Sequence, residues 1–411
     1  MQAFPIGFWN YAPVRLFDAA CVRDWADAGM TLAMSPEFGP DPGDTRRMLS
    51  ILDAAAERNI RVILCHAHGY AQHATWDEAV YRQRFAACVE TYGAHPAVFG
   101  FHVGDEPDTR DFSRFSAAMR IQKELAPHLS PFGNLLPLHP GFESRVGHAS
   151  WAAYLDAYCA AARPDFLCYD CYCQMSRDAE NLTDDGFDLY FRNLREYSEA
   201  GARHGIPYWT TVLSVGHFRL RRPTEDDFRW QLNTAVAHGA KGILYFFLYM
   251  REPHGNYRVP PIDEHYERTE TYAWLSRVNR TFHKTVGPVF AGLELRAAYH
   301  SGKTYGGFAE PCGTGRILRA EGGPLVVSEF VRPCDGAEFV AVVNNSQTEN
   351  IEAKVWIRGR RPAAHRIGWM GEEVEHVGGA TQAGRCGEDY CRPSHWLGPG
   401  QMELYRVADE G

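Results

Sequence analysis

Eight short apolar runs recur through the first two-thirds of this 411-residue chain, and stretches with helical periodicity separate them. The runs cover residues 5–11, 30–36, 61–68, 97–106, 130–137, 165–173, 206–215 and 240–249. The sequence "TWDE" at Thr75 to Glu78 has the form of a capping box and predicts a helix start after the third run. Eight strand–helix units predict an α/β fold, specifically a (β/α)8 TIM barrel; a doubly wound sheet is the alternative and fits eight units less well.

The pattern changes near residue 290, where the helical periodicity ends. The segments 338–347 and 352–359 alternate apolar and polar residues and are flanked by turn formers. Such alternation predicts a small C-terminal β-sandwich domain. We therefore expect a barrel domain over residues 1–288 and a sandwich domain over 289–411, with the role of the second domain open.

Composition excludes several classes of protein. A net charge of −9 and a pI near 6.1 argue against a nucleic-acid binder, and no apolar run approaches the ~18 residues of a membrane span. The N-terminal sequence "MQAFPIGFWNYAP" lacks a basic region followed by an apolar one, so no signal peptide is expected. Eleven scattered cysteines, an odd number, favour reduced thiols and a cytoplasmic location. Homo-oligomerisation stays open.

Aromatic, amide, imidazole and carboxylate side chains stand where the predicted strands end. In a TIM barrel these C-terminal strand ends carry the active site. Rings can stack on the C–H faces of a sugar while amides and carboxylates bind its hydroxyls, so we expect a small carbohydrate as ligand and no cofactor or metal. For Trp9, Trp209, Tyr169 and Tyr249, core packing is the alternative role. The candidate substrate-binding residues are Trp9, Asn10, Glu37, His66, His68, His102, Asn134, Tyr169, Tyr172, Trp209, His217, Tyr245 and Tyr249.

The fourth run, "VFGFHVGDEPD" at residues 98–108, ends on two adjacent carboxylates, Asp105 and Glu106. Burying a carboxylate costs folding free energy unless it is paired with a partner, so an unpaired one is expected to have a function. Strict alternation places Glu106 on the inner face of the strand, together with Gly100, His102 and Gly104. The same alternation places Asp105 on the outer face with Phe99, Phe101 and Val103, unless the strand bends at Gly104. Glu106 is therefore the predicted general acid/base.

The "GDEP" sequence at residues 104–107 resembles the "NEP" motif of the large clan of retaining (β/α)8 glycosidases that includes the β-galactosidases. Residues 213–249 are also similar to bacterial barrel proteins regarded as glycosidases, and the resemblance covers most of residues 5–250. It implies that Glu106 is the acid/base of a glycoside hydrolase. Asp105 stands where the clan has an Asn that holds a sugar hydroxyl.

The chain departs from that clan at the seventh strand, where the clan's nucleophilic Glu is missing from "YWTTVLSVGH". Asp170, Glu37 and Glu252 are the candidates for a second carboxylate, and Asp170 comes first because of its aromatic-rich strand end. The adjacent Asp-Glu pair also resembles substrate-assisted hexosaminidases. In those enzymes the substrate's acetamido oxygen attacks and the Asp, here Asp105, orients it.

Two other constellations have more than one interpretation. His66 and His68 share one strand face and, with His102, suggest a metal site, but hydrogen bonding to sugar hydroxyls is favoured. Cys168, Cys171 and Cys173 are interpreted as buried free thiols. The leading function is hydrolysis of small oligosaccharides or glycosides. The alternatives are a non-catalytic carbohydrate-binding barrel and a barrel lyase or isomerase with a metal at His66, His68 and Asp170.

Overall fold

The computed structural model describes residues 3–72, 75–174, 185–251, 256–360, 362–375 and 390–409. The first two-thirds contains eight parallel strands in two four-stranded sheets, with the orders β1-β8-β7-β6 and β2-β3-β4-β5. The strands are β1 (Ile6–Phe8), β2 (Leu32–Met34), β3 (Arg61–Leu64), β4 (Val98–Asp105), β5 (Phe132–Asn134), β6 (Leu167–Asp170), β7 (Tyr208–Val212) and β8 (Ile243–Tyr245). All eight runs identified in the sequence contain one of these strands.

The edges of the two sheets meet on both sides. The backbone N–H of Thr31, just before β2, donates to the carbonyl oxygen of Ile6 in β1 at 2.9 Å. On the other side, the N–H of Leu135, just after β5, donates to the carbonyl oxygen of Cys168 in β6 at 2.8 Å. The carboxyl ends of all eight strands consequently point toward one end of the parallel unit (residues 6–245).

Helices follow the strands and cover their outer faces. The helices are α1 (Cys21–Asp27), α2 (Pro42–Glu57), α3 (Glu78–Tyr92), α4 (Phe112–Leu125), α5 (Glu143–Val146), α6 (Trp151–Ala162), α7 (Asp185–His204), α8 (Glu225–Ala237), α9 (Glu270–Lys284) and α10 (Gly287–Phe290). The helix predicted at Thr75 starts later, because Asp77 caps it by accepting a hydrogen bond from the Val80 N–H at 3.0 Å. No helix in the described ranges is both long enough and apolar enough to cross a membrane.

The last third of the chain forms two antiparallel sheets. One has the order β15-β14-β18-β12-β11-β9; in the other, β13 pairs with β10, β16 and β17. Val340 and Tyr405 of the first sheet and Val355 and Ile357 of the second belong to one buried apolar cluster. The strands are β9 (Glu294–Ser301), β10 (Ile317–Glu321), β11 (Leu325–Arg332), β12 (Ala337–Asn344), β13 (Ile351–Arg358), β14 (Pro362–Ile367), β15 (Glu373–Glu375), β16 (Tyr390–Cys391), β17 (Ser394–Leu397) and β18 (Met402–Asp409).

The antiparallel unit packs against α8 of the parallel unit. The Trp230 indole N–H donates to Asn345 Oδ1 at 2.9 Å, and Asn233 Nδ2 donates to the carbonyl oxygen of Gly400 at 2.8 Å. Gly400 has a φ of 65°, and a Cβ there would collide with the backbone of Trp230, so only glycine permits this approach. The predicted boundary after residue 288 falls inside α10, and helical structure ends at Phe290.

The inner faces of the two parallel sheets enclose an apolar core. Trp209 stacks on Phe166 with ring centroids 4.1 Å apart, and Phe99 lies 5.5 Å from Trp209. Leu32, Ile63, Phe132 and Leu244 belong to the same buried cluster. The space between the strands is therefore filled by side chains below the strand ends, and it is not an open channel.

Candidate active site

Strand β4 departs from strict alternation, and this decides which carboxylates enter the site. The register of its pairing with β3 shifts between Val98 and Gly100. The register of its pairing with β5 shifts between His102 and Gly104. Each shift adds a residue on one strand and reverses the direction of the following side chains. The alternation predicted from sequence is therefore wrong for three residues. Phe99 faces inward, and Gly104 faces outward, where a Cβ would meet Phe115 of α4. Asp105 faces inward instead of outward.

Asp105 points into the parallel unit at the strand ends, toward Asp170 of β6. One side-chain nitrogen joins them, because Asn134 Nδ2 lies 3.0 Å from Asp105 Oδ1 and 2.8 Å from Asp170 Oδ1. The two carboxylate oxygens are consequently no more than about 5.8 Å apart, the sum of these distances. Asn134 Oδ1 is buried and has no hydrogen-bond partner among the described residues, so it can accept one from a ligand.

The backbone of Asp105 is held by the side chain of Gln72. The Asp105 N–H donates to Gln72 Oε1 at 2.6 Å, and Gln72 Nε2 donates to the Asp105 carbonyl oxygen at 2.7 Å. Gln72 Nε2 also donates to Asp111 at 3.2 Å, just before α4. This paired contact replaces strand pairing at the irregular end of β4 and fixes the direction of the Asp105 side chain.

Glu106 follows directly in an uncommon backbone conformation, with a φ of 46°. A non-glycine residue in the left-handed region is strained, and such residues are frequent at functional sites. Its N–H donates to the carbonyl oxygen of Asn134 at 2.9 Å, and its carboxylate lies 3.6 Å from the guanidinium of Arg145 on α5. The Glu106 side chain keeps 36% of its surface exposed, so a ligand can reach it.

Burial raises the pKa of all three carboxyl groups. The pKa of Glu106 rises to about 7, mainly through burial and then through the charges of Asp170 and Asp105, while Arg145 opposes the rise. The pKa of Asp105 also rises to about 7, through burial and Asp170, against the hydrogen bond from Asn134. Burial raises the pKa of Asp170 as well. At neutral pH the cluster therefore retains protons that an exposed set of carboxylates would lose.

Aromatic rings border the cluster on the β1, β6 and β8 side. Burial first, then the charges of Asp105 and Asp170, raises the pKa of Tyr11. Tyr172 lies near the same two carboxylates, and its ring centroid is 5.6 Å from that of Phe246. Such rings can contact the C–H faces of a sugar whose hydroxyls reach the carboxylates.

His217 and Arg251 complete this border. The His217 ring stacks on Phe246 with centroids 4.9 Å apart, and the Arg251 guanidinium lies 4.5 Å from the Tyr11 ring. Tyr11, Gln72, Arg145 and Arg251 were not among the sequence candidates. Only Tyr11 had a usable signal, its position at the end of the first strand.

Several predicted substrate-binding residues lie away from the carboxylate cluster. Their side chains pack against the outer helices or lie near the beginning of a strand. Tyr169 stacks on Tyr197 of α7 with centroids 3.9 Å apart. Tyr245 donates to Asn279 of α9 at 2.7 Å, and Tyr249 accepts a hydrogen bond from Trp25 of α1 at 2.9 Å. Trp209 stands near the start of β7, in the inner apolar core. For these four residues, the prediction of a binding role is corrected to packing.

The remaining candidates divide between the inner core and its edges. Trp9 donates to Thr211 at 3.1 Å inside the parallel unit. His102 lies 5.4 Å from the Trp9 ring, and burial lowers its pKa to about 4. Asn10 is buried and accepts a hydrogen bond from the Ala12 N–H at 3.1 Å.

Two sequence candidates for the second carboxylate remain besides Asp170. Glu37 is an exposed residue whose carboxyl group is partly buried. This partial burial raises the pKa of Glu37, and the charge of Arg251 lowers it. Glu252 lies outside the described residues. Asp170 is thus the acid that the structure brings beside Asp105 and Glu106.

His66 and His68 do not face the carboxylates. His66 lies 4.8 Å from Phe38 and 6.0 Å from Tyr92 by ring centroids, on the side covered by α3. Its Nδ1 accepts a hydrogen bond from the His68 N–H at 3.0 Å. Among the described residues both histidines gather with Cys88, so the predicted metal shared with Asp170 or His102 is wrong. Substrate binding by His66 and His68 stays a prediction.

No protein-family model matches the sequence, and no curated protein matches it. Solved structures do resemble it. A glycoside hydrolase superimposes with a TM-score of 0.62 at 12% identity, over 99% of this chain and 92% of its own. A glycoside hydrolase of family 5 from Bacteroides vulgatus gives a TM-score of 0.61 at 12% identity, over 99% and 89%. The predicted resemblance to glycoside hydrolases is confirmed at the level of the fold.

A β-galactosidase from Rahnella sp. R3 is similar over a smaller region. It gives a TM-score of 0.53 at 14% identity, over 72% of this chain and 58% of the β-galactosidase. The chain therefore spans less than two-thirds of that enzyme. At such identities the likeness concerns the fold, and the chemistry has to be argued from the cluster of Asp105, Glu106 and Asp170.

Proposed function

We propose that the chain is a glycoside hydrolase that cleaves small oligosaccharides or glycosides, with Glu106 as general acid/base. The observation that carries this proposal is the cluster of three carboxyl groups with raised pKa values at the strand ends. The fold shared with glycoside hydrolases supports it. We include in the proposal a closed (β/α)8 barrel over residues 1–288, supported by the hydrogen bonds at both sheet edges, and a β-sandwich over 289–411.

Glu106 fits the role of proton donor to the leaving group. When the glycosidic C–O bond breaks, the departing oxygen takes the Glu106 proton and leaves as an alcohol. A pKa of about 7 keeps a large share of Glu106 protonated near neutral pH, where an exposed glutamate is ionised. In the second step, the resulting carboxylate takes a proton from the attacking water.

The second catalytic role is to stabilise the positive charge that develops on the sugar ring. Asp170 or Asp105 takes this role. Strand β7 (Tyr208–Val212) and the five residues after it contain no acid, so the nucleophile of the resembled clan has no counterpart there. Asp170 can act as nucleophile or base. Asp105 can instead orient an acetamido group whose oxygen attacks the anomeric carbon. Strict alternation along β4 places Asp105 on the outer face and so argues against substrate assistance. Asp105 instead points inward, so both routes stay in the proposal.

A non-catalytic carbohydrate-binding barrel is the second candidate. The missing acid on β7 favours it, because aromatic rings and Asn134 would bind a sugar without any chemistry. The metal-dependent lyase or isomerase is not proposed. Among the described residues, His66 and His68 gather with Cys88 and not with Asp170.

A panel of nitrophenyl glycosides that includes N-acetylhexosaminides tests the proposal. We expect hydrolysis of at least one glycoside, with a preference for N-acetylhexosaminides if Asp105 orients an acetamido group. Glu106→Gln, which keeps the shape of the side chain, is the matched variant and should still bind the product sugar. Sugar binding by calorimetry without cleavage of any glycoside would establish the binding protein instead.

A further inference from the structure

A second cluster of reactive side chains lies outside the carboxylate site. His66 and His68 follow β3, and Cys88 lies on α3, which packs over that turn. One potential ligand atom from each residue falls within 4.8 Å of the other two. Within the described ranges, this is the one group of three histidine, cysteine or acidic side chains close enough to share an ion.

The chemistry of this trio suits a borderline-soft cation. Cys88 Sγ lies 3.3 Å from His66 Nδ1, and both residues are 3% exposed. Two imidazoles and a thiolate form the ligand set that zinc prefers, whereas magnesium and calcium prefer oxygen.

We propose that His66, His68 and Cys88 bind a zinc-type divalent cation, with water as the fourth ligand. On binding, the Cys88 S–H bond breaks, the proton passes to solvent and the sulfur bonds to the metal. The thiol proton must leave before the sulfur can bind the metal, so affinity increases with pH.

Bound metal would also act on the carboxylate site through the backbone. The segment from His66 continues to Gln72, which holds the N–H and carbonyl oxygen of Asp105. Tying both histidines to Cys88 fixes the start of this segment against α3. The metal is therefore assigned a structural role, and its binding does not depend on whether the chain cleaves glycosides.

Cobalt spectroscopy on the full-length, chelator-treated chain tests the site without any substrate. Adding Co²⁺ should produce a thiolate-to-cobalt charge-transfer band in the near ultraviolet, together with the visible bands of tetrahedral cobalt, and both should saturate at about one ion per chain. Zn²⁺ should abolish the bands by competition. Each ion bound should release about one proton, and the melting temperature should rise with zinc concentration.

Cys88→Ser should remove the charge-transfer band, and His68→Gln should weaken cobalt binding at least tenfold. Cys21→Ser is the matched control, because Cys21 is also a buried helical thiol but belongs to no such trio, and it should keep the full spectrum. His68 is only partly buried, so His68→Gln tests the site even if Cys88→Ser fails to fold. A folded wild-type chain without the band, or a band that survives in both site variants, would overturn the proposal.

Discussion

The interior of the parallel unit differs sharply between the beginnings of its strands and their carboxyl ends. Near the strand beginnings, Phe99, Phe166 and Trp209 form an aromatic layer. At the strand ends, Asp105 and Asp170 converge on one amide. Both acids are buried, and burial raises the pKa of each. A buried acid keeps its proton to a higher pH than it would in solvent.

The comparison shows that the two regions have opposite effects on stability. The aromatic layer stabilises the fold by removing large apolar surfaces from water. The carboxyl cluster destabilises it at neutral pH, because three acids with raised pKa values resist ionisation where the unfolded chain ionises freely. Substitutions in the aromatic layer should consequently affect stability first, and substitutions in the carboxyl cluster should affect activity first.

The largest expected effect is on activity, from Asp170→Asn. Asp170 can no longer serve as nucleophile, base or charge partner in this variant, so kcat should fall about 10²–10⁴-fold on the best glycoside of the panel. Steady-state kinetics measure the fall, and circular dichroism verifies the fold. A kcat within threefold of wild type would remove Asp170 from the reaction.

Trp209→Ala should produce the largest change in stability. It deletes a buried ring that stacks on Phe166, and large-to-small substitutions of this kind cost about 3–5 kcal/mol of unfolding free energy. Chemical denaturation measures the cost. At a temperature where the variant is folded, kcat should stay within a few-fold of wild type. A stability loss under about 1 kcal/mol would contradict the packing role of the layer.

Asp105→Asn should raise stability, and only at the higher pH. The pKa of Asp105 is about 7 in the folded chain, above its ordinary value of 3.8. The folded state therefore binds more protons than the unfolded state between about pH 4 and 7, and wild-type stability falls as pH rises through this window. Removing the acid should recover up to about 4 kcal/mol at pH 8 and little at pH 4.

Melting temperatures of wild type and Asp105→Asn at pH 4 and pH 8 measure this difference. Asp108→Asn is a suitable control, since the pKa of Asp108 is lowered by Arg110 and its removal should not stabilise the chain at pH 8. Equal shifts for Asp105→Asn at both pH values would mean that Asp105 ionises normally in the folded chain.

Arg145→Gln should have the smallest effect. Arg145 lies 3.6 Å from Glu106 and opposes the rise of its pKa, but its side chain is 45% exposed and solvent screens the pair. Removing the charge should shift the alkaline limb of kcat/KM to higher pH by less than about one unit. A shift to lower pH would show that Arg145 does not act on Glu106.

The sequence predicted the strand–helix order and the end of the helical region because both follow from periodicity along the chain. It also singled out Asp105, Glu106, Asn134 and Asp170, because polar residues that end apolar strands are conspicuous. The direction of Asp105 could not be predicted, since the register shifts in β4 arise from pairing with β3 and β5. Alternation within one strand carries no information about its neighbours.

The binding-site aromatics were predicted less well, for a related reason. A ring near a strand end can face inward like Tyr172 or outward like Tyr169, which stacks on a helix far along the chain. Cys88 had no detectable link to His66, because α3 brings them together only in three dimensions. Gln72 lies in the segment between β3 and α3, and Arg145 lies in the four-residue helix α5, which is too short to show a periodic pattern.

The most direct test of the account compares wild type with Glu106→Gln on two glycosides of the same sugar, one with a nitrophenol and one with an alkyl alcohol as leaving group. Cleaving the alkyl glycoside needs the Glu106 proton, so its kcat/KM should fall about 10²–10⁴-fold, while the nitrophenyl glycoside should lose far less. The wild-type alkaline limb near pH 7 should disappear in the variant. Equal losses on both glycosides, or an unchanged alkaline limb, would show that Glu106 is not the proton donor.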